Sequence, residues 1–412
     1  MGNLSGFRNF FRTAQWITPQ RSRLYCLLFL VLISAMIGGL LVTSHSGIDA
    51  NGKILGTDFI SFWAASDLAL HGHPADVYQM HAHEAQQLKI FPQASQSGYT
   101  AFFYPPLFLL ICLPLAVFPY LVSLCLWLSV TGYACWRAVK GFLPEKTSWV
   151  FVASFPAIFI NILHGQNAFL TCALFAGAVY LLGKRPVVSG IFFGLLCFKP
   201  HLALCVPFAL TMARQWRALC AFIMTVVVFV LVSWGLFGTA TWLGFLQNIP
   251  FATATLEKNY VGYGKMVSIF AAVRLLHGSL FVSYFVQAVT AFLVFSVLMY
   301  IAFYRRASQA TGVMLIITAL VVTPFLLDYD LMLLAPVLAW LARQAQLHGF
   351  LPYERFLLAF AFLMPLFVRY LALSLNVPVG PVILLAVAYM VARRALGQTT
   401  VCLPRGVAVS PV

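Results

Sequence analysis

The sequence predicts an all-α polytopic membrane protein, a bundle of roughly 10–12 transmembrane helices with one long loop outside the bilayer. Three observations predict it. Of 412 residues, 62% are hydrophobic and only 8% charged, with a mean hydropathy of +0.92, whereas a soluble domain carries about 25% charged residues. The apolar residues fall in runs long enough to cross a bilayer. The 25 Lys and Arg, against ten Asp and Glu, sit in ones and twos between those runs, as the positive-inside rule expects. A net charge of +15 gathered in a patch with interleaved aromatics would point to nucleic acid. Scattered between apolar runs it does not, and no nucleic-acid partner is expected.

Residues 1–23 carry Arg8, Arg12, Arg21 and Arg23 and read as a cytoplasmic segment before the first span, Leu24–Val42. That run is about 30 Å long as a helix, and no small-residue cleavage site follows it, so it reads as a retained span. The chain then emerges into a first outer loop, about residues 43–104, with juxtamembrane helices. The next apolar stretch, 104–136, is broken at Pro105-Pro106, Pro114 and Pro119. Two full spans there would put Arg137, Lys140 and Lys146 outside, so a shallow or re-entrant segment near 105–118 followed by a span at 120–136 is expected. Spans near 149–163 and 166–182 meet outside at His164–Asn167, and a hairpin near 187–213 has Lys199-Pro200-His201 at its outer tip. A span near 218–237 leads to an outer loop through Lys265, and another near 280–303 ends at Arg305-Arg306. Spans near 311–326 and 329–342 meet outside at Asp328-Tyr329-Asp330, and a last pair near 356–374 and 379–392 ends at Arg393-Arg394. This threading leaves most Lys and Arg inside with only Glu145 and Glu354 among the acids, the asymmetry the charge rule requires. Residues 24–394 form a single membrane domain in this reading, and 395–412 a cytoplasmic tail. The nine cysteines lie in apolar runs or, for Cys402, in the tail, the pattern of small buried hydrophobes.

The unusual chemistry collects at the outer end. Ionisable groups at membrane depth are expensive and mark function by default. In "GTDFISFWAASDLALHGHPADVY", Asp58 either caps the helix that starts at Phe59 or serves as a general base. The two readings are compatible, because a helix N-terminus keeps a carboxylate ionised. Asp67 reads as a polar-face position and Asp76 as a first-turn acid. His71-Gly72-His73 and His81-Ala82-His83-Glu84 raise a metal site, but a hydrated loop explains them better, so a divalent metal is possible but not favoured and no cofactor is expected. Lys199, flanked by apolar half-helices and opened by Pro200, needs an anion such as a phosphate, or it snorkels to water. His201, His164, Gln166, Asn167, Tyr104, Tyr329 and Asp330 complete the candidate substrate-binding set. Asp328-Tyr329-Asp330 otherwise reads as a solvated turn with one capping aspartate, and the first-loop aromatics Trp63, Tyr78, Tyr99, Phe102, Phe103 and Tyr104 as an interfacial belt that also lines a groove or stacks on a sugar.

The order of "DFISFWAASDLALHGHPADVY", "FFYPPLFLLICLPLAVFPY", "GQNAFL", "GLLCFKPHLALCVPFAL" and "TPFLLDYDLMLLAP" resembles the polyprenol-phosphate-mannose-dependent mannosyltransferases, glycosyltransferase family 87 of the GT-C superfamily. The resemblance implies a GT-C-like bundle and a hexosyltransferase active site facing the periplasm or outside of a bacterial cytoplasmic membrane. There a polyprenyl-phosphate-linked sugar, mannose or another hexose, passes to a glycolipid or glycan acceptor, usually with inversion. It implies Asp58 as the general base and Lys199 as the basic residue of the broken-helix motif. Some members carry histidine where this chain has Asp328-Tyr329-Asp330, a departure that bears on donor and acceptor. A tethered leaving group needs no nucleotide-binding domain, and the chain has no GxGxxG or Walker sequence. A transporter or flippase of a lipid-linked sugar is the alternative, against which stand the absence of an evident repeat and the clustering of acids at one end. A non-catalytic assembly subunit is a third reading, disfavoured by the isolated loop from Asp58 to Tyr78.

Overall fold

The computed structural model describes residues 2–92, 98–143 and 148–397. Glu145, Lys146, Cys402 and the tail from residue 398 onward lie outside the described residues. In chain order the helices are α1 (Gly2–Thr13), α2 (Pro19–Thr43), α3 (Phe59–Leu70), α4 (Met80–Ile90), α5 (Pro106–Cys112), α6 (Tyr120–Val139), α7 (Ser148–Ala153), α8 (Ala157–His164), α9 (Ala168–Leu181), α10 (Pro186–Leu195), α11 (Pro200–Ala203), α12 (Val206–Met212), α13 (Trp216–Glu257), α14 (Ile269–Leu275), α15 (Leu280–Arg305), α16 (Gln309–Val322), α17 (Leu334–His348), α18 (Glu354–Leu375) and α19 (Val379–Gly397). Extended pairing among the described residues is confined to three isolated bridges. The chain is an all-helical, multi-pass membrane protein.

Six helices, α2, α6, α13, α15, α18 and α19, are long and apolar enough to cross a membrane. The other expected spans are shorter because proline or glycine interrupts them. Pro156 separates α7 from α8, and the hairpin predicted at 187–213 is cut at Lys199, whose backbone (φ −116°, ψ 77°) is non-helical between a short 3-10 turn and α11. The stretch read as re-entrant is α5, only seven residues long, followed by the 3-10 turn Leu115–Val117, with Leu107, Phe108, Leu109 and Cys112 buried. The span predicted to end near 237 instead runs on as helix to Glu257. Gly238 (φ 77°, ψ 171°) breaks it, and Pro250 lies within its second half. A left-handed glycine at that point changes the direction of the helix without ending it.

The core follows from helices that are apolar all round, which must be enclosed by others. In α16 every residue from Ala310 to Val321 is buried, and with α9 and α17 it forms the main cluster. By contrast, Ile33 is the one buried residue of α2, and its exposed Leu28, Val31, Leu32 and Val42 suit hydrocarbon. A second cluster is built on aromatics: Phe59, Phe62, Phe102, Phe108, Tyr120, Trp127 and Phe198. Phe62 meets Phe108 edge-on at 4.9 Å, and Phe108 stacks on Phe198 at 5.0 Å. Such pairs add about 0.5–1.5 kcal/mol each beyond the area they bury. The first-loop aromatics expected as a belt are therefore partly core: Phe102 and Tyr78 are buried and fasten the loop helices α3 and α4 onto α5, α6 and α10. At the other end of the bundle, the Arg394 guanidinium donates to both oxygens of the fully buried Glu354 carboxylate, tying α19 to the start of α18. The Arg12 carbonyl accepts from Tyr353 N–H at 2.8 Å, which seats α1 beside them.

Candidate active site

Two backbone turns build the site. Helix α8 stops at Gly165, whose φ of 62° is left-handed. A Cβ there would lie 2.6 Å from the Cβ of Phe59 and 3.2 Å from the Cα of Gly56. Only glycine lets the 164–167 turn rest against the loop that precedes α3. The contact is cemented by polar groups. Asp58 N–H donates to the His164 carbonyl at 2.9 Å, and Thr57 Oγ1 is 2.7 Å from His164 Nδ1. Gln166 Nε2 donates to Asp58 Oδ2 at 2.9 Å, with His164 Nδ1 3.7 Å from the same oxygen.

This arrangement answers the capping question. Asp58 stands at the N-cap position of α3, but with αR angles (φ −99°, ψ −20°) and no side-chain bond to the helix. Its carboxylate turns instead to the 164–167 turn. It remains 28% exposed, and Oδ1 has no protein hydrogen bond among the described residues. A carboxylate held by one oxygen and open at the other is placed to accept a proton.

Lys199 finds its anion inside the protein. Nζ donates to Asp330 Oδ1 at 2.7 Å, the two side chains are 3% and 4% exposed, and the ammonium lies 5.2 Å from the centre of the Tyr329 ring. The snorkelling reading does not hold, because the head group is enclosed. The solvated-turn reading of 328–330 fails too: Asp328, Tyr329 and Asp330 are all buried, and α17 begins only after Leu333. His201, half-buried beside Lys199, senses both charges of the pair. Asp328 lies 2.9 Å from Nε of Arg369 on α18. Burial raises the Asp328 carboxyl, while the Arg369 and His164 charges oppose the rise.

Tyr104 links the two halves. Its hydroxyl is 3.5 Å from Gln166 Oε1, and it interacts electrostatically with Asp330 and Asp58. The Asn167 amide is buried close to that hydroxyl, yet neither of its polar atoms reaches hydrogen-bond geometry, and His164 Nε2 and Asn161 Nδ2 are likewise without a protein partner. Each such group costs roughly 1–3 kcal/mol when buried unpaired, so together they mark a place built for a polar ligand. The structure thus gathers Asp58, Tyr104, His164, Gln166, Asn167, Lys199, His201, Tyr329 and Asp330 at one end of the bundle.

The other loop candidates lie apart. Asp67 accepts from Gln86 and Asp76 from Gln79. His71 and His73 are exposed beside those two acids. His83 is fully buried, with Nε2 3.1 Å from the Ser61 carbonyl and Nδ1 3.1 Å from the Tyr99 hydroxyl, and burial lowers it to about 4. No group of three or more His, Cys, Asp and Glu poised around a metal occurs among the described residues. Thr57, Asn161 and Arg369 were missed from the sequence. For Arg369 a signal existed, a lone arginine inside an apolar run. Thr57 and Asn161 act through contacts across more than a hundred residues or within a turn, which no local pattern carries.

No curated protein and no solved structure matches the chain. The profile of glycosyltransferase family 87 matches residues 102–328, more than half of the chain. The matched stretch holds Tyr104, His164, Gln166, Asn167, Lys199 and Asp328; it begins after Asp58 and ends before Arg369. A buried polar site among membrane helices, set in a stretch with this match, makes the chain a membrane glycosyltransferase, and it belongs to glycosyltransferase family 87.

Proposed function

We propose that the protein transfers a hexose, mannose or a relative of it, from a polyprenyl-phosphate donor to a glycolipid or glycan acceptor at the outer face of a bacterial cytoplasmic membrane. The observation that carries the reading is the Asp58 carboxylate, turned away from its helix, oriented by Gln166 at 2.9 Å and still accessible. In this mechanism Asp58 takes the proton of an acceptor hydroxyl as that oxygen attacks C1 of the sugar. The C1–O bond to phosphate breaks, and its electron pair leaves with the lipid phosphate. A single displacement of this kind inverts the anomeric centre. His164, Gln166 and Asn167 orient hydroxyls, and Tyr104 and Tyr329 offer ring faces. Lys199 and His201 border the donor side, where Lys199 reaches a phosphate once its hold on Asp330 loosens.

The test uses purified protein in detergent with defined polyprenyl-phosphate sugars and extracted acceptors. The wild type is expected to make a glycosylated product from at least one donor, and Asp58→Asn none. Absence of product with every polyprenyl-phosphate sugar, alongside turnover of a nucleotide-sugar donor, overturns the donor class. Full activity in Asp58→Asn removes the base.

A further inference from the structure

An arginine in the middle of an apolar membrane helix needs a compensating partner. Arg369 has an incomplete one. Its Nε lies 2.9 Å from Asp328 Oδ2, but the two are misaligned, and both atoms remain without a hydrogen bond. Its terminal nitrogens make no hydrogen bond with the described residues, and the side chain is 33% exposed. The two other buried or half-buried cations of the bundle's polar pairs contrast with it. Arg394 is bonded to Glu354 and to the Gly349 carbonyl, and Lys199 is enclosed with Asp330. Arg369 thus combines proximity to the site with a guanidinium edge still free to bind.

Its surroundings indicate what it meets. Asp328, which it touches, interacts electrostatically with both Asp58 and His164, so Arg369 borders the same polar space as the base. On its other side, Leu366, Tyr370 and Leu373 are 46%, 65% and 57% exposed and flank Arg369 at helical spacing, an apolar stripe that hydrocarbon covers in a bilayer. A ligand bridging stripe and site has an apolar chain and an anionic head.

We infer that Arg369 is the residue that binds the phosphate of the lipid-linked donor, with the isoprenoid chain lying along the α18 stripe of Leu366, Tyr370 and Leu373. The inference rests on the proposed transfer reaction and deepens it. A guanidinium offers a planar fork to phosphate oxygens, which a lysine ammonium does not. As the sugar's C1–O bond breaks, the electron pair moves onto the phosphate oxygen and adds a negative charge there, which Arg369 stabilises. The acceptor's proton meanwhile resides on Asp58 and passes to water before the next turnover. Because burial raises the Asp328 carboxyl, this acid is a weak competitor for the arginine and holds it in place without fully neutralising it.

The test measures binding, not turnover, so it stands apart from whether sugar is transferred. Purified full-length protein in nanodiscs is titrated with polyprenyl phosphate, with the polyprenol of equal length, and with inorganic phosphate. Wild type is expected to prefer polyprenyl phosphate over polyprenol by roughly 10–100-fold, the worth of a charge-assisted hydrogen bond, and to bind inorganic phosphate far more weakly. Arg369→Gln is expected to lose the preference while keeping its affinity for polyprenol, and Arg369→Lys to retain part of it. Since Arg369→Gln leaves Asp328 buried without a counter-charge, Arg369→Gln/Asp328→Asn gives the same reading in a neutral background. An undiminished preference in whichever of these variants folds overturns the assignment. So does a wild type that binds phosphate lipid and alcohol equally. Loss of the preference with transfer also absent in wild type would sustain Arg369 and overturn the reaction instead.

Discussion

At the residue scale, Asp58 carries no structural duty that its chemistry must share. Because its side chain makes no bond to α3, Asp58→Asn is expected to leave thermal stability close to wild type, whereas loss of a true cap costs about 1 kcal/mol. Transfer per folded molecule should fall by ~10²–10⁴-fold, the range of general-base contributions. A Tm measured beside the product assay separates the two effects, and a variant that melts early without losing specific activity would return Asp58 to a capping role. Lys199 behaves in the opposite way. Its enclosure with Asp330 means that Lys199→Met strands a buried carboxylate at a cost of about 3–5 kcal/mol. Adding Asp330→Leu to Lys199→Met should recover most of that stability, read as detergent melting temperature. Equal stability of the single and double variants would show that the pair is not closed in the folded protein.

At the element scale, the loop helices form a lid of aromatic packing whose buried polar centre is His83. Its folded value near 4 lies below the ordinary histidine value, because burial disfavours the imidazolium. The stabilisation is therefore complete above about pH 6.5 and declines as pH falls toward 4, since the opened loop binds the proton that the packed loop refuses. The effect amounts to ~3 kcal/mol at full extent. Amide exchange in α3 and α4 should accelerate between pH 6.5 and 5, and His83→Gln should flatten that dependence. Unchanged exchange across the interval would mean that the ring is solvated. A second consequence belongs to Gly165: Gly165→Ala drives a methyl into Phe59 at 2.6 Å, and the expected result is a lowered kcat with a shifted Gln166–Asp58 register. What the sequence revealed at this scale depends on where the information sits. The break at Lys199-Pro200 was legible because proline acts on its own neighbours. The continuation of α13 past Gly238 was not, because glycine alone does not say whether a helix bends or stops. The direction of the Asp58 side chain was also hidden, since it is decided by Gln166, whose contact with it spans 108 residues of sequence.

At the scale of the whole molecule, the hydropathy and charge distribution were sufficient to specify a multi-pass helical protein, and the polar candidates at one end of the threaded chain do meet in space. The number of helices long enough to span was less legible. Apolar runs such as 149–163 and 187–213 look continuous in hydropathy while proline divides them. The threading itself makes a prediction. Reporters fused after Leu55 should lie outside the membrane, and those after Lys146, Arg217 and Arg306 inside, as scored by paired phosphatase and fluorescent-protein activities. A reporter exposed outside after Lys146 would mean that the 105–118 segment crosses fully, and the site would then be divided between two sides.

The pairing of Lys199 with Asp330 also has a consequence for biogenesis. The partners are 131 residues apart, so at ~5–20 residues per second of synthesis the lysine enters the membrane roughly ten seconds before its counter-charge exists. During that interval it has no anion, and the broken hairpin around it must linger at the interface, where water reaches the ammonium. Insertion of the 187–213 hairpin is thus expected to remain reversible until α16 and the turn after it emerge. Chains truncated at residue 300 should be extracted from membranes by alkaline carbonate more readily than chains truncated at residue 350, and should be degraded sooner.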